Sequence, residues 1–133
     1  MILLATGAGL LAIAIMGVAV KRIVPDLSSG DPAASRAFYE DVLGLEVAMD
    51  LGWIITFAAP GNPAMQLSVV REDASASVQP DVSIEVDDVD AAHAAATRLG
   101  YEIVHPLTNE PWGVRRFFVR DPAGTVLNIL SHA

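Results

Sequence analysis

Cysteine is absent from this chain of 133 residues. That excludes disulfide frameworks, zinc-thiolate sites and thiol nucleophiles, and it leaves the redox compartment unread. Positive charge is scarce. Lys and Arg number 8 against 16 Asp and Glu, for a formal net charge of -8. Such a chain repels phosphate backbones and anionic lipid surfaces, and no basic cluster interleaved with aromatics offsets this, so nucleic acid is excluded as a partner class. No Gly-x-Ser-x-Gly elbow occurs and no serine has a base at motif spacing, so nucleophilic hydrolysis finds no support. Charge is missing altogether from Met1 to Val20. Apolar residues are plentiful instead: 53% of the chain is hydrophobic and the mean hydropathy is +0.45. At this length that fits one folded domain with its own core, and the expected location is cytoplasmic.

The uncharged run ahead of Lys21-Arg22 reads literally as a spanning helix with the domain on its cytoplasmic side. That reading collides with the neighbouring segment, because a strand must begin near Val18 to feed Lys21 to Leu27, leaving too few residues for a full span. Residues 1–17 are therefore taken as an apolar leader, either dispensable, with Met16 as an alternative start, or docked, or membrane-associated as an N-terminal tether. Gly7 to Ala12 loosely matches a dinucleotide fingerprint, but no acidic residue closes a second strand at the required distance.

The most informative stretch is Phe117 to Leu130. Two β-branched and aromatic runs flank Asp121-Pro122-Ala123-Gly124. Asp can bond its own turn there, Pro fixes φ, and Gly accepts positive φ at the exit, so a hairpin is predicted. With register fixed, Leu127 and Ile129 go to one face and Val126, Asn128 and Leu130 to the other. The chain after the leader divides into similar halves. Aligning Gly44 with Gly100 also aligns Leu43 with Leu99, Glu46 with Glu102 and Val47 with Ile103. Each half reads as one βαβββ unit: module one over 18–71, a linker over 72–80, and module two over 81–133. Asp31 and Asp88 are the predicted helix caps; the stripes Ala34, Ala37, Phe38, Val42 and Ala92, Ala95, Ala96, Leu99 are the predicted buried faces.

Three segments in order, Ser35 to Leu45, Val86 to Ala92, and Pro111-Trp112-Gly113 followed by Phe118 to Gly124, resemble the vicinal oxygen chelate superfamily. That superfamily contains glyoxalase I, extradiol dioxygenases, and bleomycin and fosfomycin resistance proteins. The likeness runs from about Val18 to His132. It implies an α+β fold in which paired βαβββ modules form a curled mixed sheet around a cavity, with helices on the convex side. A homodimer is implied as well.

Metal-dependent members present His or Glu from several strands, to hold Mn, Fe, Ni or Mg with open positions. The corresponding positions here are Val24, Asp81, Gln66 and Asn128, of which one is ionisable. The pattern is therefore closest to metal-independent, bleomycin-resistance-like members, and no cofactor is expected. The alternative is a metal-dependent lyase or dioxygenase with an atypical site, for which Asp26, Asp81 and Glu85 are the candidate ligands.

Alternation places Arg22, Val24 and Asp26 on one face of the first strand, and Gln66 with Ser68 on one face of another. It places Asp81, Ser83 and Glu85 on a polar face opposite Val82, Ile84 and Val86. Arg115 and Arg116 must point to opposite faces, and parity with Phe117 and Val119 turns Arg116 inward, either toward a ligand or into an ion pair with Asp26, Asp81 or Glu85. Trp53 and Trp112 offer aromatic walls, and Trp112, in a Pro-Trp-Gly loop, has the least packing reason to be where it is. His105 is a loop-capping residue or, as the one weak catalytic candidate, a proton acceptor. His93 reads as solvated and His132 as a tail residue without a partner. The expected ligand set is thus Trp112, Arg116, Trp53, Asp81, Glu85, Gln66 and Asn128, around a small organic molecule.

Overall fold

The structure is a computed structural model and describes residues 2–6, 9–13 and 17–132, with side chains described from 17 onward. Strands β1 (Ile2–Thr6) and β2 (Gly9–Ile13) pair antiparallel as a separate two-stranded sheet. The alternative start at Met16 and the Gly7-Ala8 turn of the loose fingerprint lie outside the described residues. Among the described residues no helix is long and apolar enough to cross a membrane.

From β3 onward the chain builds two βαβββ units. The first comprises β3 (Val20–Ser28), α1 (Pro32–Asp41), β4 (Glu46–Asp50), β5 (Ile54–Ala59) and β6 (Asn62–Val70). The second comprises β7 (Val82–Val86), α2 (Val89–Arg98), β8 (Ile103–Asn109), β9 (Val114–Arg120) and β10 (Val126–His132). Together they make one open eight-stranded mixed sheet in the order β4-β5-β6-β3-β7-β10-β9-β8. The order is symmetric about the β3–β7 seam. That seam is antiparallel, whereas β3 on β6 and β7 on β10 are parallel. The α+β fold of paired modules expected from the sequence is what the chain adopts.

Local chemistry explains the boundaries. Asp31 caps α1 by accepting the Ala34 N–H at 3.2 Å, and Asp88 caps α2 by accepting that of Ala91 at 3.0 Å. The hairpin turn closes through Asp121, whose Oδ1 accepts the N–H groups of Ala123 and Thr125, each at 2.9 Å. Gly124 leaves that turn at φ +91°, a conformation closed to most L residues. The resulting register sets Leu127 opposite Val119 and Asn128 opposite Phe118.

Each half has its own core beneath its helix. Ile55, Phe57 and Val69 pack under α1; Val86, Val89, Phe117 and Ile129 pack under α2. The stripe read for α1 needs correction. Ala34, Ala37, Phe38 and Val42 are all exposed, and the face toward the sheet is Pro32, Ser35 and Tyr39, with Tyr39 set 5.1 Å from the Phe57 ring. On α2 the three alanines of the predicted stripe are half-buried, but Leu99 is exposed. His93, read as solvated, is half-buried and stands edge-on to Phe117 at 5.0 Å. β8 also runs on through Pro106 to Asn109, so His105, read as a loop cap, lies within a strand.

Replacing Gly124 by Ala should cost roughly 1–2 kcal/mol of unfolding free energy. The control is Gly30→Ala, at a position with no positive φ and open space around the added methyl. Urea denaturation of the two variants should separate them; equal losses would show that the turn does not set the hairpin.

Candidate functional site

A row of polar side chains crosses the concave face of five adjacent strands: Thr56 on β5, Ser68 on β6, Asp26 on β3, Ser83 on β7 and Asn128 on β10. Backbone register puts them side by side. Thr56 pairs with Ser68, Ser68 with Asp26, and Ser83 with Asn128. Thr56 and Ser68 share a hydrogen bond of 2.7 Å. Ser83 donates to Asp26 Oδ2 at 2.6 Å and accepts from Asn128 Nδ2 at 3.0 Å. The Oδ1 of Asn128 is buried and has no hydrogen-bond partner.

The row floors a cavity of about 710 Å³, counting its open mouth. Trp53, from the turn before β5, and Trp112, from the turn between β8 and β9, meet above it with ring centroids 5.3 Å apart at 66°. Gly113 at φ +95° makes the second turn tight enough to hold the indole there. At the rim Arg22 pairs with Glu85 at 2.9 Å and also reaches Gln66, while His132 bonds the other Glu85 oxygen.

The titration of Asp26 and Glu85 shifts in opposite senses. Asp26, 8% exposed, is pushed up to about 7, first by desolvation and then by the nearby Asp73 and Asp81, with the Ser83 hydrogen bond and Arg116 opposing. Desolvation raises Glu85 too, but bonds from His132 and Arg22 outweigh it and hold the carboxyl below its ordinary value.

Arg116 lines the same cavity and is buried to 3% exposure. Its Nε donates to Glu110 at 2.6 Å, Nη1 and Nη2 donate to Asp73 at 2.9 and 2.7 Å, and Nη2 also reaches Ser75 at 2.9 Å. Phe118 and Trp112 flank the guanidinium at 4.7 and 4.9 Å. Asp73 is held below its usual range: burial raises it, but the Arg116 fork and the N–H groups of Ser75 and Ala76 prevail. The ion pair expected with Asp26, Asp81 or Glu85 is thus replaced by one with Asp73 and Glu110. Glu85 is committed to Arg22, and the segment after β6 folds back to place Asp73 against the fork. Arg115, on the opposite face, pairs with Asp90 at the surface.

Of the residues singled out from the sequence, Trp53, Trp112, Arg116, Glu85, Gln66, Asn128 and Asp26 all line this one cavity. Asp81 does not. It is exposed just before β7, its backbone tied to Asp26 and Val126. His105 lies behind Phe118, at 4.9 Å, with Nε2 buried 3.5 Å from Glu110 and outside the cavity lining. His132 is no tail residue: it ends β10 and bonds Glu85 at the rim. Sequence reasoning missed Thr56, Asp73 and Glu110. Thr56 carried a signal, as a hydroxyl between Ile55 and Phe57. Asp73 carried none, being 43 residues from its partner in a stretch read as a linker.

The metal positions implied by the family resemblance can be tested against this geometry. Val24 offers no donor, Asp81 stands outside the cavity, Gln66 Oε1 accepts from Arg22, and Asn128 supplies a poor amide donor. Among the described residues no group of three or more His, Asp or Glu converges to hold an ion. The donor set does not fit a first-row metal.

The profile of the Glyoxalase/Bleomycin resistance protein/Dioxygenase superfamily matches residues 19–129. No curated protein matches the chain in sequence. Among solved structures, one from Legionella pneumophila described as an NAD-dependent benzaldehyde dehydrogenase is 19% identical with TM-score 0.66, over 84% of this chain and 99% of the other. A glyoxalase/bleomycin resistance protein/dioxygenase superfamily member from Vibrio splendidus 12B01 is 20% identical with TM-score 0.60, over 85% and 99%. The Mn(II)-bound glyoxalase of Novosphingobium aromaticivorans is 22% identical with TM-score 0.58, over 84% of this chain but 38% of that one. At these identities the likeness concerns the fold alone.

Two outcomes are expected from the buried charges. Arg116→Ala leaves Asp73 and Glu110 unpaired in the interior and should cost ~3–5 kcal/mol in denaturant unfolding; a loss below about 1 kcal/mol would show that the cluster behaves like an exposed pair. For Asp26 the folded state keeps a proton that the unfolded chain has released, so its stabilisation is full below pH 3.8 and is lost as pH rises through about 7. Asp26→Asn should flatten that slope, ~1.4 kcal/mol per pH unit at most, and gain on the parent protein at neutral pH. An unchanged pH profile would refute the assignment.

Proposed function

Since the chain belongs to the glyoxalase/bleomycin resistance protein/dioxygenase superfamily, we propose that it works as a binding protein of the bleomycin-resistance-like kind, holding a small organic molecule in its cleft without a standard metal site. One observation carries this reading: a cavity walled by two meeting indoles sits over a floor of hydrogen-bonding groups whose amide acceptor is unpartnered. Apolar walls supply most of the binding free energy, and a few convergent polar groups supply orientation. The scaffold's other use, Lewis-acid chemistry, gets no support from a donor set of valine, glutamine, asparagine and an outlying aspartate. The homodimer belongs to the same proposal, supported by exposed Ile23 and Met65 beside a shallow apolar depression with Leu45 and Leu67. Light scattering of the purified protein would test it.

The chain's 2 tryptophans both line the cavity, so indole emission reports on the site directly. A thermal-shift screen of antibiotics and aromatic metabolites should give at least one compound that also changes indole emission saturably. Trp112→Ala should weaken that compound by about tenfold or more. Silence across the screen would refute binding. Elemental analysis of protein purified without chelator should find no stoichiometric Mn, Fe, Ni or Mg; a full equivalent would overturn the metal-free half of the proposal.

A further inference from the structure

We infer that the cleft is selective for cations: its ligand carries a protonated amine that seats against Asp26, joined to an aromatic body held by Trp53 and Trp112. The inference rests on the binding function proposed for this cleft and names the ligand class.

The first ground is the pairing of charges. Six charged or chargeable side chains line the cavity, and five of them are matched. Arg22 and His132 share Glu85, and Arg116 is bound by Asp73. Asp26 alone has no ion-pair partner among the described residues; its one side-chain hydrogen bond comes from the neutral Ser83 hydroxyl. When ionised it is an unmatched negative charge at 8% exposure, a state that a bound cation would stabilise.

The second ground is independent of that count. Asn128, 7% exposed, presents a buried Oδ1 with no donor to satisfy it. Ser83 lies between the two groups: its proton is given to Asp26, and its lone pair takes the Asn128 N–H. In this arrangement Asp26 and Asn128 offer acceptors and no donor. An ammonium brings three donors and a positive charge to such a floor, whereas a carboxylate would meet repulsion and an alcohol could satisfy one acceptor without matching the charge. The arginines give an anion no foothold, because both are already neutralised by carboxylates.

Seating a cation also ties binding to proton release, since an ammonium beside Asp26 favours the ionised carboxyl. The charged groups around Asp26 are Arg22 on its own strand, Asp81 just before β7, Glu85 from β7, Asp73 from the segment after β6, Arg116 from β9 and His132 from β10.

The test uses the intact protein, indole emission, and three probes of matched shape: 2-phenylethylamine, 2-phenylethanol and 3-phenylpropanoate. At about pH 8 the amine should bind at least about tenfold more tightly than the alcohol, and the advantage should shrink toward about pH 6, where the amine is still charged. Asp26→Asn should abolish both the preference and its pH dependence while keeping the alcohol's affinity; Asp90→Asn, which removes an exposed carboxylate outside the cavity lining, should keep both. If the alcohol or the carboxylate binds as tightly as the amine, or if Asp26→Asn leaves the preference intact, the inference is overturned while the binding function stands. If no probe binds although another compound from the screen does, the inference again falls alone. Silence throughout the screen removes both.

Discussion

The antiparallel seam of β3 on β7 is where the two halves of this protein meet, and its register decides which side chains face the cavity. Val24 stands opposite Ser83, and from that pairing the row extends outward through the parallel partners β6 and β10. A slip of one residue would turn Asp26 to the convex side and bring Pro25 and Leu27 into the cavity, because strand side chains alternate faces. Neither half alone contains the floor. One supplies Thr56, Ser68 and Asp26, the other Ser83 and Asn128, and the hydrogen bond from Ser83 to Asp26 joins them across the seam.

A second constraint is the guanidinium of Arg116, buried in an acidic protein. Its fork holds Asp73 and Ser75, and so pins the segment between the halves against the second one. The same segment contributes Asp73 to the cavity wall. What reads as a connector is therefore structural, and the charges that hold it are spent on holding it. This separates two roles that composition alone cannot: most charges at the cavity are committed to one another, and Asp26 is the exception.

Much of this was legible in the sequence, for a physical reason. Period-two alternation, helix caps and the Asp-Pro-Ala-Gly turn are local, and they predicted the hairpin register, the inward Arg116 and the shared face of Arg22, Val24 and Asp26. The fold itself followed from motifs in the right order. Non-local facts were not legible. The identity of the Arg116 partners depends on a backbone path that no periodicity encodes, and Asp81 fell outside the cavity because the strand begins one residue later. Tyr39 rather than Phe38 makes the α1 contact with the sheet, a rotation of the helix that apolar spacing over ten residues does not determine.

Because β3 pairs with strands roughly forty and sixty residues away along the chain, the polar row exists only where these long-range pairings are made. The cleft is thus a property of the whole sheet and of neither half. Each module has its own aromatic core, but the cleft needs both. A molecule held across the seam would touch both halves and, by mass action, would stabilise the assembled sheet over the unfolded chain.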